Sequence, residues 1–239
     1  MQAVQHGVGK EAPQEPLRRR INQFLARTVS RFRIVLWVVI IAAAVFLLGY
    51  FIYGQVQNAR AAQAAQLVET AQDTYTSWQA ETDATRKAPI EKKLLDQLTT
   101  VIDRYPNQYG AQRALFIRGD VNYTNKAWDA AIKDYQTLVT RFPKSYLAPI
   151  SLYNAATGYD EKGDADNAQK LYVKVYTTYK DSTVAPRAVF DAARLDESKN
   201  AWTDAQTKYQ SLDTLFAQSA WDKLAKNRIV ELKVLGKIK

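Results

Sequence analysis

Two pairs of adjacent carboxylates, Asp160–Glu161 and Asp196–Glu197, carry the residue types that general acid–base catalysis uses. Both fall near predicted inter-helix turns, where solvated charges are ordinary. They are therefore read as surface residues, not as a catalytic pair. The one histidine, His6, lies in a polar leader without a partner. Cysteine is absent, which removes thiol nucleophiles, thiolate metal sites and disulfides. No glycine-rich phosphate loop, nucleophile elbow or His/Cys ligand set occurs. The expectation is a protein that is not an enzyme, with no cofactor and no metal site. Trp128 and Trp202, at the start of two predicted helices, are read as packing positions.

What the sequence offers instead is a period. Ala131, Ala168 and Ala205 stand 37 residues apart. The same step links Tyr135, Tyr172 and Tyr209, then Leu138, Val175 and Leu212, then Phe142, Tyr179 and Phe216, then Ser145, Ser182 and Ser219. Five chemically similar columns at one interval predict stacked supersecondary units, each unable to bury its apolar face alone.

Within a unit the apolar spacing is helical. Leu115, Phe116, Gly119 and Tyr123 form one stripe, and Ala131, Tyr135, Leu138 and Phe142 form another. Asn125, Lys126 and Ala127 separate them in one copy, Lys162, Gly163 and Asp164 in the next. Each unit is predicted to be a helix–turn–helix pair. Small residues (Gly119, Ala156, Ala193 and Ala131, Ala168, Ala205) sit where the helices would cross. Tyr135, Tyr172 and Tyr209 would fill the layer between pairs.

The run from Leu152 to Ala168 resembles a tetratricopeptide repeat. Leu152, Ala156, Tyr159, Gly163 and Ala168 take the positions of that family's pattern. The neighbouring units match in part, through Leu115, Gly119, Trp128, Ala131, Tyr135 and Pro143, then Val189, Ala193, Trp202, Ala205 and Tyr209. The usual period is about 34 residues. The three extra residues are placed between pairs, within 142–149 and 179–186. One period earlier, Leu94, Leu98, Val101, Tyr105 and Pro106 echo the same columns. This predicts a degenerate first repeat over 71–108, interrupted at Arg86, Lys87, Ala88 and Pro89. Full units follow at 109–145, 146–182 and 183–219. Residues 220–239 are expected to form a capping helix that buries Trp221, Leu224, Ala225, Ile229 and Leu232. Its outer face would carry Asp222, Lys223, Lys226, Arg228 and Glu231.

Residues 34–54 contain no charge over 21 positions. At 1.5 Å per residue this spans roughly 30 Å, the hydrocarbon thickness of a bilayer. It is longer than the apolar core of a signal peptide, and an uncleaved transmembrane helix is the expectation. Residues 1–33 hold seven lysines and arginines against two glutamates, a net of +5. The far flank, Gln55 to Arg60, is nearly neutral. The charge bias predicts a cytoplasmic N-terminus and a translocated repeat domain. Residues 1–16 are read as disordered. Arg18 to Arg33, with Leu17, Ile21, Phe24 and Leu25 at helical spacing, is read as a surface helix. Residues 55–86, rich in alanine and glutamine, form a connecting helix.

The chain's net charge of +9 raises nucleic acid as a partner. The tail accounts for +5 of it, and no basic stripe with interleaved aromatics follows. Neither nucleic acid nor a small-molecule substrate is expected. The fold class is all-α: one transmembrane helix, then a tetratricopeptide-like solenoid.

The family resemblance implies that the first helix of each pair lines a concave face. Carried over position by position, that face presents Arg113, Phe116, Asp120 and Tyr123, then Tyr153, Thr157 and Asp160, then Phe190, Arg194 and Glu197. Such a face suits an extended peptide or helix of a protein partner. Equally, Phe116, Tyr153 and Phe190 share a column that would suit a core. The family's lysine–asparagine–arginine clamp for acidic C-termini is not reproduced. The layout also resembles bitopic envelope proteins of the bacterial inner membrane, among them the ancillary subunits of the SecYEG translocon. That resemblance implies a periplasmic interaction scaffold handing secreted proteins to chaperones. The alternative is a structural part of an envelope machine, such as a spirochaete flagellar collar or an outer-membrane assembly complex.

Overall fold

In the computed structural model, which describes residues 15–239, the chain is helical and contains no strand among those residues. Among the described residues nine helices follow in order: α1 Glu15–Ala80, α2 Ala84–Arg104, α3 Tyr109–Thr124, α4 Trp128–Arg141, α5 Ala148–Glu161, α6 Ala165–Thr178, α7 Ala185–Ser198, α8 Trp202–Leu215 and α9 Ala220–Val234. The chain divides into two compact units, Met1–Asn58 and Ala59–Lys239.

In the first unit every side chain from Phe32 to Tyr53 is exposed. An 18-residue window of α1 has a mean hydropathy of 2.8 with none of it buried. By length and composition this stretch can cross a membrane. Ile21 and Phe24 are exposed as well. His6, the polar leader and the side chains of Leu17, Leu25, Arg27 and Arg31 lie outside the described residues.

The second unit begins with the C-terminal part of α1. Ala64, Val68, Ala71 and Trp78 follow one helical stripe and are buried. Val68, Ala71 and Trp78 share a core with Leu94, Leu98, Val101 and Ile102 of α2. The Trp78 indole donates to Glu91 at 3.0 Å, tying the two helices together. The break between them differs from the sequence expectation. It lies at residues 81–83, where the Asp83 side chain accepts the Arg86 N–H and caps α2. Arg86, Lys87, Ala88 and Pro89 are helical. Pro89 stands in the second turn, where its missing N–H costs the helix a single hydrogen bond, that of the Thr85 carbonyl.

α3/α4, α5/α6 and α7/α8 are three antiparallel pairs with three-residue turns at 125–127, 162–164 and 199–201. Each turn places one residue in the left-handed region: Lys126 (φ 59°), Gly163 (φ 84°) and Asn200 (φ 59°). The next residue's N–H bonds back five positions, Ala127 to Asn122, Asp164 to Tyr159 and Ala201 to Asp196, at 2.8–2.9 Å. This is a Schellman turn repeated at the sequence period. Connections between pairs are longer, six residues each at 142–147 and 179–184. There Ser145 and Ser182 bond back to Phe142 and Tyr179, and Ala148 and Ala185 bond back to the serines. Pro149 and Pro186 then start the next helices, where a missing N–H costs nothing.

Ala131, Ala156, Ala168, Ala193 and Ala205 are fully buried at the helix crossings, and Tyr135, Tyr172 and Tyr209 are buried between helices. Lys162 pairs with Asp129 and Lys199 with Asp166, the same contact one period on. α9 closes the stack with Ala225 and Leu232 buried and Trp221 and Ile229 packed against the core. Two residues depart from the expected face. Leu224 is 47% exposed, whereas Asp222 is 2% exposed. The Asp222 carboxylate folds over its own helix N-terminus, accepting the Gln218 N–H at 3.2 Å and pairing with Lys226.

Candidate partner-binding groove

The 37-residue step puts equivalent positions of α3, α5 and α7 in line along the stack. Between those helices lies a cleft of about 310 Å³. Asp120 and Tyr123 reach it from α3, Tyr153, Asn154 and Thr157 from α5, and Arg187 from α7, with Tyr135 of α4 behind them. Four of the ten residues assigned to the concave face therefore meet in one place: Asp120, Tyr123, Tyr153 and Thr157. Two larger hollows, about 460 and 450 Å³, are shallower features that run along α4 and α2, each lined mainly by one helix.

The cleft is organised by tyrosine hydroxyls. Tyr135 donates to Asp120 at 2.6 Å, and Tyr153 donates to Asp191 of α7 at 2.6 Å. Tyr172 donates to Thr157 at 3.3 Å. Burial pushes all three phenols up, so they stay protonated and able to donate. Tyr75 of α1 is pushed up to about 12 by burial and by the charge of Asp120. Asp120 itself is raised by burial, against which the bonds from Tyr135 and Tyr75 pull it down. Asp191 is raised for the same reason, opposed by the bond from Tyr153 and by Arg194 and Arg187. Tyr123 is raised by burial, then by the nearby Glu161 and Asp160, and its ring meets Trp128 edge-on at 4.9 Å.

The remaining assigned residues have other tasks. Arg113 pairs with Glu69 and lies 3.4 Å from the Gln72 side-chain carbonyl, both on α1. Phe116 is half-buried against the Tyr135 ring, and Phe190 against Tyr209 and Trp221. Asp160 and Arg194 pair with each other. Glu197 is 9% exposed and accepts from Tyr209 and Arg228. Burial pushes its carboxyl up, but the bonds from Arg228 and Tyr209 outweigh this and hold it below the usual range.

Two of the adjacent carboxylates, Asp196 and Glu197, are not solvated as expected. Asp196 is 7% exposed and accepts from Lys208 and Gln169. Both it and Glu197 find cations on later helices. Sequence reasoning also missed Arg187 and Asn154. Arg187 stands two periods after Arg113 and Asn154 one period before Asp191, so the columns would have indicated both.

Residues 113–145 match the tetratricopeptide-repeat family. The match covers most of α3, all of α4 and the turn between them, the unit that supplies Asp120, Tyr123 and Tyr135 to the cleft. Among solved structures, the tetratricopeptide-repeat domain of Arabidopsis OM64 is similar, at 18% identity and a TM-score of 0.42. The likeness covers 51% of this chain and 95% of that one. No curated protein matches the chain.

Proposed function

We propose that this chain is a membrane-anchored scaffold whose groove holds an extended segment of a protein partner. The observation that carries this reading is the convergence of Asp120, Tyr123, Tyr153, Thr157 and Arg187 on one cleft. Rigid amphipathic side chains around a concavity are the usual anchors of binding energy. Residues 34–54 act as the anchor, residues 1–33 face the cytoplasm and the repeats lie in the periplasm. The +5 tail against a neutral far flank supports that orientation. The partner is a secreted or membrane protein, passed from the secretion channel to periplasmic chaperones.

Two measurements test this. A reporter active only outside the cytoplasm works when fused after Lys239 and fails after Arg33; the reverse pattern overturns the orientation. A photo-crosslinking amino acid at position 123 captures a partner from intact membranes, and Tyr153→Ala with Arg187→Ala reduces the yield while helicity persists.

A structural role in an envelope machine is favoured by a different observation. Leu224, Val230, Val234 and Leu235, in and just after α9, are all exposed at the end of the stack. If crosslinks arise at Val230 or Val234 and none at position 123, that reading replaces the first.

A further inference from the structure

Three carboxylates of α3, α5 and α7 differ in their partners, and of the three Asp120 lines the cleft. Asp191 is flanked by Arg187 at 3.6 Å and Arg194 at 3.7 Å. Asp160 is paired with Arg194. Asp120 accepts the Tyr135 hydroxyl at 2.6 Å, and the Tyr75 phenol lies close enough to interact with its charge. Among the described residues no lysine or arginine forms an ion pair with it. A carboxylate offers about four acceptor positions, so two hydroxyls leave it room for a further donor. Burial already disfavours its charge, and a cation arriving from a partner would offset that cost.

The surroundings suit such a cation. Tyr123, Tyr135 and Tyr153 line the same cleft, Tyr135 and Tyr153 nearly buried and Tyr123 partly exposed, and aromatic rings attract ammonium and guanidinium groups. Arg187 does not compete. Its guanidinium is committed to Asp191 and lies over the rings of Tyr153, at 5.0 Å, and Trp221, at 5.4 Å. It serves as a wall with its charge already balanced. A cleft of about 310 Å³ has room for one long side chain.

We infer that the cleft between α3 and α5 is a subsite for a lysine or arginine side chain of the bound segment, with Asp120 as its counter-ion and the tyrosine rings as its walls. This rests on the groove reading above and adds the chemistry that the partner must bring.

The test is a selection of random dodecapeptides on phage against the full-length chain in detergent micelles. Selected peptides carry lysine or arginine at one fixed position. A synthetic copy binds Asp120→Asn at least about tenfold more weakly, the low end for close charge pairs across interfaces. The same peptide with norleucine in place of its cation loses a similar factor against the native chain. That arm leaves the protein untouched, so it stands even if the variant is perturbed. Peptides that need Tyr123 but show no cationic preference, or that bind Asp120→Asn equally well, overturn the subsite and leave the groove standing. If no selected peptide is sensitive to Tyr123→Ala, both readings fall.

Discussion

A methyl group at Gly119 would stand 2.6 Å from Cε1 of Tyr135. The ring lies directly on the α-carbon of the facing helix, and its hydroxyl is held by Asp120. It cannot swing away without breaking that bond. Gly119→Ala gains helix propensity of roughly 1 kcal/mol but overpacks the crossing at a cost of about 1–3 kcal/mol. The net expectation is a loss of about 1 kcal/mol, read as a lower midpoint in urea. Gly110→Ala is worse, because its Cβ would meet the Ala64 carbonyl oxygen at 2.6 Å and backbone does not give.

The left-handed column makes a prediction of the opposite sign. Lys126 and Asn200 occupy the position that Gly163 holds in the middle unit. A non-glycine side chain there costs about 1–2 kcal/mol, less for asparagine. Lys126→Gly should raise stability by up to about 1 kcal/mol, since glycine's greater unfolded freedom offsets part of the gain. Asn200→Gly should gain less, and Gly163→Ala should lose about 1 kcal/mol. Thermal melts of the three variants check the order.

Asp120 should be costly to the fold. Its folded pKa is raised above the ordinary 3.8 by burial. A group of this kind contributes stability that is fully present below its unfolded pKa and lost as pH rises through its folded pKa. Asp120→Asn keeps an acceptor for Tyr135 and removes the charge. Its melting temperature at pH 7 should equal or exceed that of the native chain. The difference should shrink as acid protonates the native aspartate. A large loss at pH 7 would show that the charge itself holds Tyr75 and Tyr135.

Glu197 works in the other direction. Its folded pKa is lowered despite burial, through Arg228 and Tyr209. Its contribution is present above the unfolded carboxylate value and lost as pH falls through the lower folded one. Arg228→Ala leaves a buried charge with a hydroxyl alone. Removing one partner of a fully buried pair costs about 3–5 kcal/mol. Arg228 is 35% exposed, so about 2 kcal/mol is expected here, read from urea midpoints. Asp213→Ala, which removes the solvated partner of Lys226 and leaves its pair with Asp222, should cost less.

The pairing of helices was legible because apolar residues recur in columns, and packing demands the same residue type at the same place in every unit. What escaped was set by contacts that the repeating columns do not mark. Pro89 reads as a helix breaker, yet the cap at Asp83 decides where α2 starts. Asp196 and Glu197 read as solvated because their cations, Lys208 and Arg228, come from α8 and α9. Asp222 reads as surface because nothing local reveals the Gln218 N–H beneath it. Of the groove, the columns lined up positions on α3, α5 and α7 but not which of them pair with one another. Asp120 and Thr157 therefore reach the cleft while their counterpart Arg194 pairs with Asp160.

The reach of Lys162 to Asp129, repeated by Lys199 to Asp166, makes the stack a modular ruler. If residues 146–182 were excised, Ser145 would run into Thr183 as Ser182 now does, and Asp129 would face Lys199, another lysine. Most of the joint would be rebuilt from existing parts. Arg194 would meet Tyr123 in place of Asp160, and Asp191 and Asp196 would face Phe116 and Ile132 in place of Tyr153 and Gln169. A lineage could therefore lengthen or shorten this domain by whole cassettes, with only a few side-chain contacts to remake at each new joint.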